Sequence, residues 1–309
     1  MTRIIGSSVE RVEDSALLRG QACFVDDIAF PGMLHAAFIR SAQAHALIRG
    51  VDISAALEVP GVRAIWRMED IVHHLNDPLL KVALPSPAFR QELHRPTLTD
   101  KEVVHVGEAI AVVIADSRYV AEDAAALVMV DYEPLPAAND CQAALAPDAP
   151  RAHSNQPHNL VAEFTMGYGD HAKAFADAPH VFREELWQHR GVAHSMECRG
   201  VVAQYDKLED RITVWSSTQT PHACKRVICE VLGLDEDKLR VVTPDVGGGF
   251  GPKLVFYPEE VILALASREL RAPVKWIEDR REHFVATTQE RDQLWEICRS
   301  FNEYLEQPK

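Results

Sequence analysis

Basic residues are scarce in this 309-residue chain: 32 lysines and arginines face 46 aspartates and glutamates, a formal net charge of −14. That balance excludes nonspecific attraction to DNA, RNA or an anionic membrane surface. No run of about 20 apolar residues occurs, so no membrane helix is expected. The opening Met1-Thr2-Arg3-Ile4-Ile5-Gly6 lacks the apolar core of a secretory signal, and a cytoplasmic location is expected by default. Six cysteines (Cys23, Cys141, Cys198, Cys224, Cys229, Cys298) are scattered without Cys-x-x-Cys spacing. Neither a zinc site nor an iron–sulfur ligand set can therefore be read locally, and reduced, mostly buried thiols are expected. The 14 histidines also lack metal-ligand spacing; the adjacent His73 and His74 point apart on a helix or a strand. No metal ligands and no catalytic side chains are assigned.

What is present describes a soluble globular protein. Hydrophobic residues make up 47% and charged residues 25%, enough for a substantial core, and the length suits two domains. After the Pro31-Gly32 turn, residues 33–40 read as a strand, and residues 51–54 begin a short element that runs into a helix at Ala55. Residues 107–115 are almost continuously apolar, the pattern of a strand buried on both faces. Ser117 and Asp116 offer N-caps for a helix over 118–127, and residues 128–132 return as a strand, an α/β unit ending near Glu133. Residues 138–157 are rich in Pro and Ala and predict a connection between domains 1–137 and 158–293. Beyond it, strands are predicted at 160–166, 201–205, 211–216, 239–242 and 273–277. Helices are predicted at 221–232, ended by Gly233, and at 258–270, with Glu259 and Glu260 in the first turn where the helix dipole favours acids.

The densest signal is Val246-Gly247-Gly248-Gly249-Phe250-Gly251-Pro252-Lys253. Glycines allow left-handed backbone and close approach of peptide N–H groups to a ligand, at about 0.5–1 kcal/mol each against alanine. A phosphate-binding P-loop needs Gly-Lys-Ser/Thr, whereas Gly251 is followed by Pro252, Lys253 and Leu254. A dinucleotide fingerprint needs a third glycine, and from Gly249 the run reads Gly-x-Gly-x-x-Leu. Taken alone, the run is equally a tight turn or a packing point.

Its surroundings resemble a known family, the molybdopterin-binding large subunit of the molybdenum hydroxylases, which includes xanthine dehydrogenase, aldehyde oxidoreductase and aerobic carbon monoxide dehydrogenase. Residues 20–28 with 31–35 resemble the opening of that family's α/β hammerhead domain, and 107–113, 121–125 and 130–136 its close. Residues 196–200, Trp215-Ser216-Ser217-Thr218-Gln219-Thr220-Pro221-His222, the glycine run and residues 274–282 follow in the family's order.

The resemblance implies an α+β protein: an N-terminal α/β hammerhead domain, then the first part of a molybdopterin-binding α+β domain. It implies that Gln219, Gly248, Gly249, Phe250 and Gly251 bind a molybdenum–molybdopterin cofactor, the backbone amides of 249–251 approaching the metal. Iron–sulfur clusters and FAD would sit on partner subunits, and a further chain would carry the rest of the molybdopterin domain. The implied reaction is hydroxylation of a small-molecule substrate with oxygen from water, the chain being inactive alone. Leu254 stands where the purine-oxidising branch carries a substrate-binding glutamate, so an aldehyde, an aromatic heterocycle or a small molecule such as CO fits better than a purine. Cys198 and Pro252 also depart from the family, replacing a proline and a glycine. Glu197 and Arg199 read as a buried ion pair or hydrogen-bonded scaffold, and Arg280, Arg281 and Glu282 as a solvated or interdomain charge cluster. Residues 294–309 do not resemble the family; Leu294, Ile297, Phe301 and Leu305 recur at near-helical spacing and predict an amphipathic helix. A cofactor-free assembly module with the same fold is the alternative, and a nucleotide-binding enzyme a third.

Overall fold

The computed structural model describes residues 5–81, 86–91 and 93–301. Its first half contains α1 (Asp14–Leu18), β1 (Leu34–Arg40), β2 (Ala46–Asp52), α2 (Ser54–Leu57), β3 (Val62–Arg67), α3 (Met68–Ile71), β4 (Leu79–Lys81), β5 (His94–Pro96), β6 (Glu102–Val103), β7 (Ala109–Ala115), α4 (Arg118–Ala125) and β8 (Met129–Pro134). The second contains α5 (His171–Asp177), β9 (His180–Gln188), β10 (Gly200–Asp206), β11 (Arg211–Ser216), α6 (Pro221–Leu232), β12 (Leu239–Val242), α7 (Pro258–Leu270), β13 (Val274–Ile277), α8 (Arg280–Ala286) and β14 (Gln293–Phe301). Residues 138–157 are irregular apart from a 3₁₀ turn at Ala143–Leu145. No helix among the described residues is long and apolar enough to cross a membrane.

One seven-stranded sheet, ordered β12-β11-β10-β13-β1-β7-β3, runs through both halves. β7 is buried at every residue because it pairs antiparallel with β1 on one side and β3 on the other. Successive side chains leave opposite faces: Val112 and Ile114 enter a core shared with Val201, Ile228, Val261 and Val274 of the second half, while Ala111, Val113 and Ala115 enter a smaller core under α4. Each fully buried Val or Ile contributes about 1.5–3 kcal/mol. The join between halves is the parallel pairing of Leu34 and His35 in β1 with Val274 and Lys275 in β13.

Local signals place the elements. Ser117 Oγ accepts the Val120 amide to start α4. Gly233, at φ 63°, ends α6 in the left-handed conformation glycine tolerates best. Tyr257 N–H donates to the Glu260 carboxylate at the start of α7, which lies buried from Glu259 to Ser267 against β10, β11 and β13.

The cysteines are not mostly buried, since Cys23, Cys141 and Cys298 are exposed and only Cys224 and Cys229 are buried, and three secondary-structure expectations are corrected. β8 leaves the main sheet and pairs with β2 in a second sheet, β6-β2-β8, so residues 107–134 do not form one α/β unit. Residues 160–166 make only an isolated bridge, Ala162 with Phe89, and pair with no strand among the described residues. The helix expected from residue 294 is a strand: β14 pairs antiparallel with β9 over its whole length, from Gln293 opposite Gln188 to Phe301 opposite His180. Trp295 and Ile297, two residues apart, fall on one face of the pleated ribbon, and the nonlocal partner decides between two periodicities that the sequence leaves close. Residues 302–309 of that expectation, Leu305 included, lie outside the described residues.

Candidate cofactor-binding site

The glycine run leaves β12 and crosses the end of the sheet before the 3₁₀ turn Pro252–Leu254 feeds α7. Three of its residues have positive φ: Gly248 at 102°, Phe250 at 50° and Gly251 at 99°. The phenylalanine costs about 1–2 kcal/mol there, since its Cβ crowds the backbone in the left-handed region. Phe250 is nevertheless 72% exposed.

The glycines are where they are because neighbours occupy their Cβ positions. A Cβ on Gly247 would lie 2.5 Å from Cβ of Glu197, one on Gly248 would lie 2.7 Å from the Phe250 ring and 3.0 Å from Cβ of Ser195, and one on Gly249 would lie 2.5 Å from Cδ of Gln219. Gln219 reaches the loop from the segment joining β11 to α6, which is tied to the 3₁₀ turn. Gln219 N–H donates to Lys253 O (2.8 Å), Thr218 Oγ1 to the same oxygen (3.2 Å), and Thr220 Oγ1 to Leu254 O (3.0 Å).

One hydrogen bond orients the exposed Gln219 side chain. Gly251 N–H donates to its Oε1 at 3.1 Å. An N–H can only meet the acceptor end of an amide, so the Nε2 donors face outward. Nε2 has no acceptor among the described residues, and neither do the amides of Gly248, Gly249 and Phe250. The expectation that amides 249–251 all point at a ligand is therefore adjusted: Gly251 is committed to Gln219, and the open donors are those of 248–250 and Gln219 itself. Leu254 is exposed beside them.

Beneath the loop, Glu197 and Arg199 form a hydrogen-bonded scaffold, though not with each other. Glu197 Oε2 accepts from Lys253 Nζ (2.7 Å), Ser217 Oγ (2.7 Å) and Gly247 N–H (2.8 Å). The Lys253 side chain is wholly buried. Burial pulls its amine below the ordinary lysine value, against the raising effect of Glu197. Tyr257 donates its hydroxyl to Pro252 O (2.7 Å), and Arg199 stacks 3.8 Å over its ring.

Arg199 pairs with Glu259 (3.1 Å) and Glu278 (2.5 Å), and Arg40 of β1 pairs with Glu259 (2.6 Å) and Glu282 (2.6 Å). Glu282 thus belongs to a partly buried link between the two halves. Burial alone would raise the Glu278 carboxyl, but Arg199 and His283 outweigh it and hold it well below the usual carboxylate range. Cys198, Glu278 and His283 offer ligand atoms within 4.8 Å of one another. The Glu278 oxygens are already taken by Arg199, His283 and Thr287, so a guanidinium stands where a cation would. Lys253 and Tyr257, which hold the loop from below, carry no sequence signal of that role; only the run-adjacent position of Lys253 points toward it.

Open donors above a glycine cradle, with an amide locked by the cradle itself, suit a group that presents acceptor oxygens. Residues 19–136 match the family model "Aldehyde oxidase and xanthine dehydrogenase, a/b hammerhead domain", and residues 152–303 match "Molybdopterin cofactor-binding domain". The second span includes β14, which the sequence reading had set outside the family. The nicotine 6-hydroxylase large subunit of Paenarthrobacter nicotinovorans is 40% identical over 94% of this chain and 35% of its own length. The carbon monoxide dehydrogenase large chain of Afipia carboxidovorans is 37% identical over 93% of this chain and 36% of its own. The crystal structure of quinoline 2-oxidoreductase from Pseudomonas putida 86 superposes with a TM-score of 0.89 at 37% identity, over 96% of this chain and 37% of that one. A hammerhead domain joined to a molybdopterin cofactor-binding domain defines the class. The chain belongs to the large-subunit family of the molybdenum hydroxylases, and it spans about a third of the length of the curated relatives it matches.

Proposed function

We propose that this chain supplies one wall of a molybdenum–molybdopterin site in a multi-chain hydroxylase. Gln219 and the amides of Gly248, Gly249 and Phe250 are the donors that hold the cofactor, and Gly251 acts by fixing the Gln219 amide. The observation that carries this reading is the Gly251-to-Gln219 hydrogen bond, which leaves Nε2 without an acceptor among the described residues. When bound, the cofactor supplies two-electron oxidation of a substrate with oxygen drawn from water. This chain's own part is to orient that group with preorganised donors, which lose nothing to reorganisation during reaction. No general base is assigned within the chain, so hydroxylation requires a chain carrying the remainder of the domain, with iron–sulfur and flavin subunits to remove electrons. Leu254, an exposed apolar side chain beside the donors, favours an aldehyde, an aromatic heterocycle or CO over a purine.

The test is metal and pterin analysis of the complex purified from the cells that make it, with wild-type chain and with Gln219→Ala. Near-stoichiometric molybdenum and pterin are expected with wild type. The variant is expected to retain less cofactor, and its turnover per bound molybdenum to fall about 10²–10³-fold, as when a preorganised donor is removed. The purified single chain is expected to show no hydroxylase activity. A wild-type complex free of molybdenum and pterin would overturn the reading in favour of a cofactor-free assembly module.

A further inference from the structure

We infer that Lys253 is a positioning residue for the cradle: acting through Glu197, it fixes where the open backbone donors of residues 248–250 stand relative to the Gln219 amide; this rests on the cofactor-wall reading above. The donors lie on a run that cannot hold its own shape. Four of the residues from 247 to 251 are glycine, the residue type that loses most freedom on ordering, and Gly248, Phe250 and Gly251 all take positive φ. Side chains join the two ends of that run. Lys253 Nζ donates to Glu197 Oε2 at 2.7 Å, and Gly247 N–H donates to the same oxygen at 2.8 Å. Glu197 N–H donates in turn to Gly247 O at 3.2 Å, so Glu197 grips Gly247 at both its donor and its acceptor. One ion pair thus closes residues 247–253 into a ring.

The same lysine holds the other arm of the cradle. Its carbonyl oxygen accepts Gln219 N–H (2.8 Å) and the Thr218 hydroxyl (3.2 Å). The ammonium therefore sets the glycine arm and the carbonyl the glutamine arm, and the Gly251-to-Gln219 bond of 3.1 Å spans the gap between them. A single hydrogen bond to an exposed side chain is a weak restraint. The buried anchor below is what keeps its two ends within reach.

A buried ammonium is a costly way to fill this place. The Lys253 side chain is 0% and the Glu197 side chain 18% exposed. Burial outweighs the attraction of Glu197 and draws the amine below the ordinary lysine value. Buried ion pairs add little to stability over apolar groups of like volume, and their best-attested use is to select one arrangement among several. The pairing here is selective. Glu259 and Glu260 line a small cavity with Lys253, but Glu259 is taken by Arg40 and Arg199, and Glu260 by Tyr257 N–H and the Ser216 hydroxyl. Glu278 is taken by Arg199 and His283. Glu197 is the carboxylate left for Lys253. An apolar residue at 253 would fill the space, but Glu197, partly open to solvent, would then turn toward water and release Gly247.

The test is a double-mutant cycle in the full chain: Lys253→Met, Glu197→Gln and both together. Hydrogen exchange is read at the Gly247 and Gly251 amides, which donate to Glu197 and Gln219, against the amides of β7 and α6. Lys253→Met is expected to speed exchange of both loop amides about tenfold or more relative to β7 and α6. Adding Glu197→Gln is expected to change that little, because the two residues act as one unit. The double variant leaves no unpaired buried charge, and it is expected to show the same loosening against wild type if a single variant does not fold. In the complex, Lys253→Met is expected to lower turnover per bound molybdenum about tenfold or more and to shift the electron paramagnetic resonance signal of the partly reduced complex. A merely structural role would lower the amount of bound molybdenum and leave both readouts unchanged. Loop amides that exchange no faster than in wild type relative to the core, or additive effects of the two substitutions, overturn the inference. Faster loop exchange in a chain whose wild-type complex holds no molybdenum or pterin removes the cofactor reading and leaves Lys253 as the residue that sets the loop; cofactor present with unmoved loop amides does the reverse.

Discussion

Gly247 and Gly249 differ in what stands against them. A methyl on Gly249 meets the end of an exposed glutamine side chain that can swing away, so Gly249→Ala is expected to change stability by less than about 1 kcal/mol while breaking the Gly251-to-Gln219 bond. A methyl on Gly247 meets Cβ of Glu197 and, at 3.3 Å, its backbone nitrogen, which cannot swing, and Gly247→Ala is expected to cost about 2–3 kcal/mol. Thermal unfolding of both variants checks this, and equal losses would contradict it. Glu260 offers a second test at this scale. Burial, with Glu259 beside it, pushes its carboxyl up to about 7 from an ordinary value of 4.5. Between those values the folded state keeps a proton that the unfolded state has lost, so stability falls as pH rises through the window and levels off above it. Glu260→Gln is expected to remove that slope, worth at most about 3 kcal/mol, in urea unfolding at about pH 5 and about pH 8. A slope equal to that of wild type would show that the carboxyl is not the titrating group. The glycines and Gln219 were legible in the sequence because their residue types are costly or unusual in context. Lys253 and Tyr257 were not, since a buried lysine looks like any other until its partner Glu197 is brought to it.

At the scale of elements, what the sequence made legible follows how local each signal is. β11, α6, β12 and α7 begin and end where caps, prolines and apolar runs place them, as Gly233 and the Pro258 start show. β14 was misread because its alternation and its near-helical spacing are both present, and only β9, more than a hundred residues earlier in the chain, decides between them. The seam between the first half and α8 depends on one backbone contact that no local pattern announces. Gly107 sits at φ +93°, and a Cβ there would lie 2.2 Å from the carbonyl oxygen of Val285. Gly107→Ala is expected to cost roughly 3 kcal/mol, combining left-handed strain with a clash against fixed backbone. Gly32→Ala, at φ +69° with nothing within 4 Å, isolates the strain and is expected to cost about 1–2 kcal/mol. Urea midpoints of the two variants, compared with wild type, separate the effects; equal shifts would mean that the Val285 contact is not tight.

Across the whole molecule, the domain division read from the Pro- and Ala-rich connection is bridged by the main sheet. β1 pairs with β13, Phe38 meets the Trp276 ring edge-on at 5.6 Å, and Arg40 is shared between Glu259 and Glu282. Heating is therefore expected to unfold both halves of the seven-stranded sheet in a single calorimetric transition, coincident with the change in tryptophan fluorescence. Two separated transitions would show that the seam is weaker than either half. This sheet was illegible in the sequence because strand order depends on pairings between distant segments, for which composition and period carry no information. The seam also has a timetable. Arg40 leaves the ribosome 242 residues before Glu282, about 12–50 s at ordinary rates of synthesis. Throughout that interval the nascent first half carries an open β1 edge and a buried-type arginine with no carboxylate to meet it. Slow codons or early release in that stretch would thus expose a sticky intermediate, and the yield of soluble chain would depend on the tempo of translation as much as on the stability of the finished fold.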